Sequence, residues 1–315
     1  MYRIGVDLGG TNIAVGVVSE DLKIIGRGKV KTKCPRPAEE IFDDIAVAVD
    51  MAVKDAGISM DDVVSVGVGT PGSVNKENGY IEFANNLGFN QVPAKEMLEV
   101  RIGKTVYLDN DANCAALGEA VAGAGKGVGN FVAVTLGTGV GSGIIVDGKI
   151  VSGVNYAGGE MGHTVIMVNG KQCNCGRKGC WEQYASATAL ISQTKEAMLK
   201  DKNSKMWQVT NNNIDNASGR TAFDAMRLGD ETAKAVVDQY IYYVSVGIIN
   251  VINTFQPEFV CIGGGICNEG DTILNPIKEH VNNERYSIYA SKQTKIVTAE
   301  LGNDAGIFGA ALLDE

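Results

Sequence analysis

The chain has no excess of basic residues: 28 lysines and arginines stand against 37 aspartates and glutamates, and the formal net charge is -9. No run of like-charged basic residues occurs in its 315 residues. Because affinity for nucleic-acid backbones comes mainly from Lys and Arg, nucleic acid is not expected as a partner. The N-terminus lacks the basic and apolar segments of a secretory signal, which favours a reducing, cytoplasmic location.

Long uncharged segments are also scarce. One of them extends from Gln239 to Pro257 and contains Gln, Asn, Ser and Thr. This composition fits a buried core helix better than a membrane span, so no association with a membrane is expected. A chain of 315 residues exceeds the usual size of one domain, and we expect two domains that share a cleft.

Histidine is rare, with two residues in the chain, and a short loop after His163 brings Cys173, Cys175 and Cys180. Structural zinc is bound by such sets of thiolates and imidazoles, and this spacing predicts a Cys3His site. A disulfide, or cysteines that are merely buried, are the alternatives. The total of seven cysteines is odd and a reducing compartment disfavours disulfides, so we predict zinc bound by these four residues.

Two carboxylates flank the predicted zinc ligands. Glu160 lies three residues before His163, and Glu182 lies two residues after Cys180. A metal ion bound here would draw both carboxylates to one place.

The N-terminal segment predicts a strand, a glycine turn and a return strand. The first strand ends at Asp7, and the turn contains Gly9, Gly10, Thr11 and Asn12. Adjacent glycines allow close approach of a ligand, and their amides with the Thr11 hydroxyl can face phosphate oxygens. The strand-to-helix phosphate loop is excluded, since neither its Lys nor its helix follows. A plain hairpin without a ligand is the alternative.

The same pattern occurs a second time between Phe131 and Val146, with Gly137, Thr138 and Gly139 at the turn. A repeat at half-chain distance indicates two similar halves. Two glycine hairpins that face each other across a cleft would hold a polyphosphate from both sides.

A strand from Thr105 to Leu108 is followed by Asp109, Asn110 and Asp111 and then by a small-residue helix. Strand alternation places both acids on one face and does not choose between them. Asp111 lies at the start of the helix, where partial positive charge favours an ionised carboxylate, or it is only the helix N-cap. We expect Asp109 to support the backbone.

Two further segments have both a functional and a structural interpretation. Asn85 and Asn86 offer amides that can recognise hydroxyl groups, or they merely form a turn in a segment too irregular for a strand. Gly263, Gly264 and Gly265 follow an apolar strand and suit the approach of a flat ligand such as a nucleobase, or a packing turn.

Periodicity predicts the remaining elements. The predicted helices and one looped segment, 201–220, alternate with short apolar strands. The helices are expected at 39–56, 112–122, 182–200, 222–228, 231–255 and 304–313, and further strands at 63–68, 259–262 and 295–298.

Taken together, these segments resemble the ROK family of sugar kinases and repressors over nearly the whole chain. The Cys-rich segment is the most specific part of the resemblance. It implies an α/β, actin-like (ribonuclease H-like) duplicated fold of two domains, with ATP and sugar in the cleft and a homodimer or homotetramer as the assembly. We expect a smaller domain, 1–115 completed by 304–315, and a larger one, 116–303, with the zinc knot.

The resemblance also implies roles by position. Asp111 matches the catalytic base, Asn110 a sugar contact, and three others match sugar-hydroxyl ligands: Glu160, His163 and Glu182. Asn86 matches the asparagine of an Asn-Leu-x-aromatic segment, with Asn85 as the alternative register. The hairpins, with Asp7, match phosphate sites, and residues 263–265 the adenosine side. Phe89 stands where many glucokinase-like members have Trp, so a different outer wall of the sugar pocket is expected.

The activity implied is ATP-dependent phosphorylation of the 6-hydroxyl of a hexose, first of all glucose, with Mg²⁺ bound to ATP. Kinases of N-acetylmannosamine, N-acetylglucosamine, fructose or allose are alternatives within the family. A sugar-sensing module without turnover is an alternative of another class. Family repressors carry a winged-helix segment ahead of the first hairpin, and since the first strand begins at Tyr2, none is expected.

Overall fold

The computed structural model describes residues 1–314, which form thirteen strands and ten helices. The strands are β1 (Tyr2–Leu8), β2 (Asn12–Ser19), β3 (Ile24–Lys31), β4 (Val63–Thr70), β5 (Ser73–Asn75), β6 (Tyr80–Ala84), β7 (Phe89–Val92), β8 (Val106–Asn110), β9 (Phe131–Leu136), β10 (Val140–Val146), β11 (Lys149–Ile150), β12 (Phe259–Gly263) and β13 (Lys295–Thr298). The helices are α1 (Ala38–Ala56), α2 (Ala94–Ile102), α3 (Asp111–Val121), α4 (Glu182–Ala185), α5 (Ala187–Lys200), α6 (Met206–Val209), α7 (Thr221–Arg227), α8 (Glu231–Phe255), α9 (Asp271–Glu284) and α10 (Ala305–Ala311).

Two five-stranded sheets share one topology. Their strand orders are β3-β2-β1-β4-β8 and β11-β10-β9-β12-β13, and a three-stranded sheet has the order β5-β6-β7. In the first sheet the hairpin strands are antiparallel, and β4 and β8 add in parallel. In the second, β12 and β13 are parallel. The duplication predicted from the two glycine hairpins is therefore present in the sheets.

The chain divides into two compact units. The first contains residues 1–133, 143–159 and 299–315, and the second contains 134–142 and 160–298. The division expected from the sequence differs from these units at 116–133, 143–159 and 299–303, and as a description of folding domains it stays a prediction.

Glycines let helix α10 pack directly on the first sheet. A Cβ atom at Gly5 would lie 1.8 Å from the carbonyl oxygen of Ile307, and one at Gly67 would lie 1.7 Å from that of Ala310. Any larger residue on these strands would push the helix away. The same packing brings Gly306 against Asp7, whose Cγ would lie 3.2 Å from a Cβ at that glycine.

Helix α8 is the long core helix of the second unit. Its length and composition alone would suit a membrane span, but 56% of its most apolar window is buried inside the protein. Gly247 lies against the ring of Trp181, where a Cβ would approach within 1.9 Å, and the Trp181 indole N–H donates to the carbonyl oxygen of Tyr243 at 2.8 Å. These contacts fix Trp181, the residue before Glu182, against α8.

Several segments differ from the sequence predictions. The predicted helix 182–200 is broken at Ser186, whose hydroxyl oxygen accepts from the Ala189 amide at 3.0 Å and caps a new helix. The segment 83–89 was expected to be too irregular for a strand, but residues 83 and 84 belong to β6 and residue 89 to β7, with a turn between them. The predicted loop 201–220 contains α6. Helix α9 was not predicted, because Pro276 lies inside it and argues against a helix.

Candidate functional site

The junction between β8 and α3 places two polar side chains at the end of a parallel strand of the first unit. Asn110 is the N-cap of α3: its side-chain oxygen accepts from the amides of Ala112 at 2.8 Å and Asn113 at 3.3 Å. Asp111 is the first residue of the helix, and its Oδ1 accepts from the Ala112 amide at 2.9 Å. The N-cap interpretation of Asp111 is therefore wrong.

Asp109 is buried below this junction and holds it in place. Its side chain forms an ion pair with Lys76, accepts from Nδ2 of Asn113 at 2.9 Å and accepts from the Asn110 amide at 2.7 Å. The carboxylate has its partners inside the protein, so it supports the backbone as expected. Lys76 was not foreseen, because it is a lone lysine in a polar turn.

Asp7 and Asp111 are two acidic groups of the first unit whose pKa values are raised above the ordinary value. Burial raises the pKa of Asp111, against which the Ala112 amide acts. Burial, followed by the negative charge of Asp111, raises the pKa of Asp7 to about 6. Two carboxyl groups in one poorly solvated place are suited to accept a proton or to face a cation.

The first glycine hairpin leaves its turn open to a ligand. The Gly9 amide donates to the carbonyl oxygen of Asn12 at 3.0 Å, and a Cβ at Gly10 would meet its nearest atom, Cβ of Asn86, only at 4.0 Å. Thr32 is fully buried and fixes the turn: its hydroxyl donates to the Gly9 carbonyl at 2.6 Å, and its amide donates to that of Thr11 at 3.1 Å. No pattern around Thr32 marks it in the sequence.

Asn85 and Asn86 are both exposed in the turn after β6, and Asn86 is the one beside the first hairpin. Phe89 is 4% exposed and makes an edge-to-face contact with Phe42, with ring centroids 5.8 Å apart. Its ring is therefore part of the core of the first unit, and the expectation of a different outer wall of the sugar pocket stays a prediction.

The second glycine hairpin, in the second unit, is held from outside by side chains and amides. Oε2 of Glu182 accepts from the Val140 amide at 3.0 Å, and a Cβ at Gly139 would lie 2.2 Å from the same oxygen. The Thr188 hydroxyl donates to the carbonyl oxygen of Thr138 at 2.8 Å. A Cβ at Gly137 would meet nothing within 4 Å. The turn is thus fixed on one side and open at Gly137.

The three glycines after β12 have different reasons to be glycine. Gly264 has a φ of 101°, and a Cβ there would lie 2.2 Å from the carbonyl oxygen of Leu136. A Cβ at Gly265 would meet nothing within 4 Å. The packing interpretation therefore holds at Gly264, and Gly265 has the space that a flat ligand needs. Gly263 ends the strand and is buried.

Four donor atoms of the second unit lie within 4.8 Å of one another: the thiol sulfurs of Cys173, Cys175 and Cys180 and a ring nitrogen of His163. Nδ1 of His163 lies 3.6 Å from the Cys173 sulfur, and the sulfurs of Cys175 and Cys180 are 3.6 Å apart. Tetrahedral zinc with Zn–S bonds of about 2.3 Å separates sulfur from sulfur by about 3.8 Å and from nitrogen by about 3.5 Å.

This arrangement fits a metal ion better than free thiols. All seven cysteines are free of disulfides, and burial raises the pKa of the Cys180 thiol to about 12. A bound cation would stabilise the thiolates that are otherwise unfavourable there. The residues present therefore fit a structural metal ion. Glu160 directly precedes the short helical turn that contains His163, whose amide donates to the Glu160 carbonyl at 3.1 Å.

The candidate residues divide between the units. The first unit contains Asp7, the first hairpin, Asn86, Asn110 and Asp111, and the second contains the second hairpin, Glu160, Glu182, the Cys3His cluster and residues 263–265.

Known proteins resemble the chain over nearly its whole length. The sequence model described as ROK family matches residues 3–315. A glucokinase of Halalkalibacterium halodurans is 38% identical over 314 residues, 99% of this chain and 94% of that protein. A glucokinase of Thermotoga maritima is 38% identical over 309 residues, 98% and 95% of the two chains. The crystal structure of a ROK family glucokinase from Streptomyces griseus in complex with glucose and AMPPNP has a TM-score of 0.82 and 35% identity, covering 99% of each chain.

The raised pKa of Asp7 predicts a pH-dependent stability. A carboxyl group whose pKa rises from 3.8 to about 6 on folding stabilises the folded protein fully below pH 4, and this contribution is lost as the pH rises through 6. Two pKa units correspond to about 3 kcal/mol. Asp7→Asn should therefore gain stability relative to the natural chain between pH 4 and 7, by up to about 3 kcal/mol. Thermal unfolding without Mg²⁺ or nucleotide measures it; a difference that stays constant across this range contradicts the prediction.

Proposed function

The chain belongs to the ROK family, and we propose that it is an ATP-dependent sugar kinase that phosphorylates the 6-hydroxyl of glucose. The fold is the actin-like, duplicated α/β fold of the glucokinases that it resembles. The observation that carries the proposal is the position of the Asp111 carboxylate in the first turn of α3, directly after the end of β8. A carboxylate so placed can take the proton that a sugar hydroxyl loses during phosphoryl transfer.

Asp111 acts as the general base in this proposal. Its carboxylate accepts a hydrogen bond from the Ala112 amide and lies at the N-terminal end of α3, which Asn110 caps. The partial positive charge of this helix end favours the ionised carboxylate. Nδ2 of Asn110 donates one N–H to the Gly72 carbonyl at 3.0 Å and keeps a second for the sugar. A positioned base contributes about 10²–10⁴-fold to the rate, and positioning and electrostatics supply most of the remainder.

The open turns of both hairpins bind phosphate groups in the proposal. Their backbone amides and the hydroxyls of Thr11 and Thr138 face the phosphate oxygens, while Gly265 leaves room for the adenosine. Mg²⁺ carried by ATP supplies neutralisation of the phosphoryl charge, and Asp7 is the carboxylate of the first hairpin that faces such a cation.

Glu160, His163, Glu182 and Asn86 contact the sugar hydroxyls in the proposal. With Nδ1 of His163 at the cysteine cluster, Nε2 keeps its hydrogen and donates to a hydroxyl. One oxygen of Glu182 holds the Val140 amide, so the other is left for the sugar. A sugar bound by Glu182 would therefore act on a residue that also supports the second phosphate hairpin.

A sugar panel tests the proposed function. ADP release should be measured with ATP and Mg²⁺ on glucose, mannose, fructose, allose, N-acetylmannosamine and N-acetylglucosamine at equal concentrations. We expect the highest kcat/KM with glucose and glucose 6-phosphate as the product. A higher value for an N-acetylhexosamine or fructose would contradict the choice of sugar, and binding without turnover for every sugar would favour the sensing module.

We further propose that the metal of the Cys3His cluster is zinc, at one ion per chain, with a structural role. Structural zinc binds with about 10–16 kcal/mol of apparent free energy in small domains, so losing one ligand should unfold the loop between His163 and Cys180. Cys175→Ser should lose zinc and most activity together, whereas Cys34→Ser, which changes a cysteine outside the cluster, should keep both. Metal analysis beside activity decides this; full activity in zinc-free protein contradicts the structural role.

The family resemblance also supports a cytoplasmic homodimer or homotetramer with two folding domains divided at residues 115 and 303. Light scattering during gel filtration would contradict the assembly if it gave the mass of one chain, 33.2 kDa.

A further inference from the structure

Lys76 connects the turn after β5 with the buried end of β8. Its ammonium group forms an ion pair with Oδ2 of Asp109, whose side chain is 3% exposed. A charge buried to this extent is costly without a partner, so the carboxylate depends on Lys76 for its counter-charge.

The other oxygen of Asp109 holds the groups on either side of Asp111. Oδ1 accepts from the amide of Asn110, the preceding residue, at 2.7 Å and from Nδ2 of Asn113, two residues later, at 2.9 Å. Asn113 is itself 3% exposed. The position of one carboxylate thus determines where the strand ends and where the first turn of α3 begins.

Lys76 lies in a turn that is stabilised by hydrogen bonds of the neighbouring Asn75 side chain. Oδ1 of Asn75 accepts from the amides of Glu77 at 3.1 Å and Asn78 at 3.3 Å, and its Nδ2 donates to Glu82 at 3.0 Å. A second hydrogen bond joins the residue before β5 to the β8–α3 junction: Nδ2 of Asn110 donates to the Gly72 carbonyl at 3.0 Å. The turn can therefore transmit a fixed position to Asp109.

We propose that Lys76 is a positioning residue for phosphoryl transfer: through Asp109 it fixes the backbone on both sides of Asp111 and holds that carboxylate at the β8–α3 junction. The inference rests on the proposed function, in which Asp111 is the base. Lys76 itself touches no substrate. β6 follows the same turn and leads to Asn86, which lies beside the first hairpin. The contact between Lys76 and Asp109 therefore also connects the proposed base to this segment.

Charge gives a second reason for a cation at this place. Burial raises the pKa of the Cys114 thiol, and the negative charges of three aspartates, Asp109, Asp111 and Asp7, raise it further. The positive charge of Lys76 lowers it. Without Lys76 the Asp109 carboxylate would be buried beside two others of the same sign. It would then rearrange or admit water, and its bonds to Asn110 and Asn113 would change.

Lys76→Met tests the proposal through the separation of kcat from KM. A small displacement of a catalytic group costs up to about 10²-fold, so we expect kcat to fall about 10–100-fold while KM for glucose stays within about threefold. Lys76→Arg, which keeps the cation, should restore most of kcat. Arg101→Met removes an ion pair of 2.6 Å to Asp43 in the same unit and should leave kcat unchanged. A kcat of Lys76→Met within about twofold of the natural chain overturns the proposal.

A double-mutant cycle with Asp109→Asn adds a readout that mere destabilisation would not give. If the two residues act as one pair, Lys76→Met/Asp109→Asn should lose no more kcat than the worse single variant. Losses that multiply would show independent action and contradict the proposal. If Lys76→Met does not fold, Lys76→Gln, which keeps a donor without the charge, replaces it in the cycle. Inactivity of the natural chain on every sugar would instead refute the proposed function.

Discussion

The carboxylate of Asp109, buried at the end of β8, is the constraint on which the β8–α3 junction depends. It is satisfied by Lys76, Asn113 and the Asn110 amide, and it leaves the next two side chains to separate tasks. Asn110 caps α3, and Asp111 is held at the first turn with its carboxylate in a poorly solvated place. Asp109 therefore has a structural role, and Asp111, two residues later, is the proposed base.

Backbone-to-backbone packing is the second constraint, and glycine makes it possible in both units. Helix α10 lies against Gly5 and Gly67 of the first sheet, and Gly247 accommodates the Trp181 ring in the second unit. These contacts help to position Asp7 and Glu182, because Gly306 of α10 lies against Asp7 and Trp181 directly precedes Glu182. Glu182 supports the second hairpin, because its Oε2 accepts from the Val140 amide beside a turn that is open at Gly137.

The sequence predicts most of this architecture, because its signals are local. The repeated glycine hairpin predicts the duplicated sheets, and the spacing of His163 and the three cysteines predicts a cluster whose donor atoms do converge. What the sequence does not reveal depends on contacts between residues distant in sequence. Phe89 packs on Phe42, and Thr32 fixes a turn twenty-three residues earlier. Lys76 reaches an acid thirty-three residues later. Side chains that meet only through the fold leave no pattern along the chain.

The proposed function depends most on the assignment of Asp111 as the base, and one variant tests this assignment directly. Asp111→Asn keeps the shape of the side chain but cannot take a proton, so steady-state kinetics should show kcat lower by at least about 10²-fold. Glucose titrated calorimetrically into the same protein should bind with nearly the natural affinity, the pattern of an interaction needed only in the transition state. Near-normal turnover of Asp111→Asn would contradict the account, because the proton would then have another acceptor.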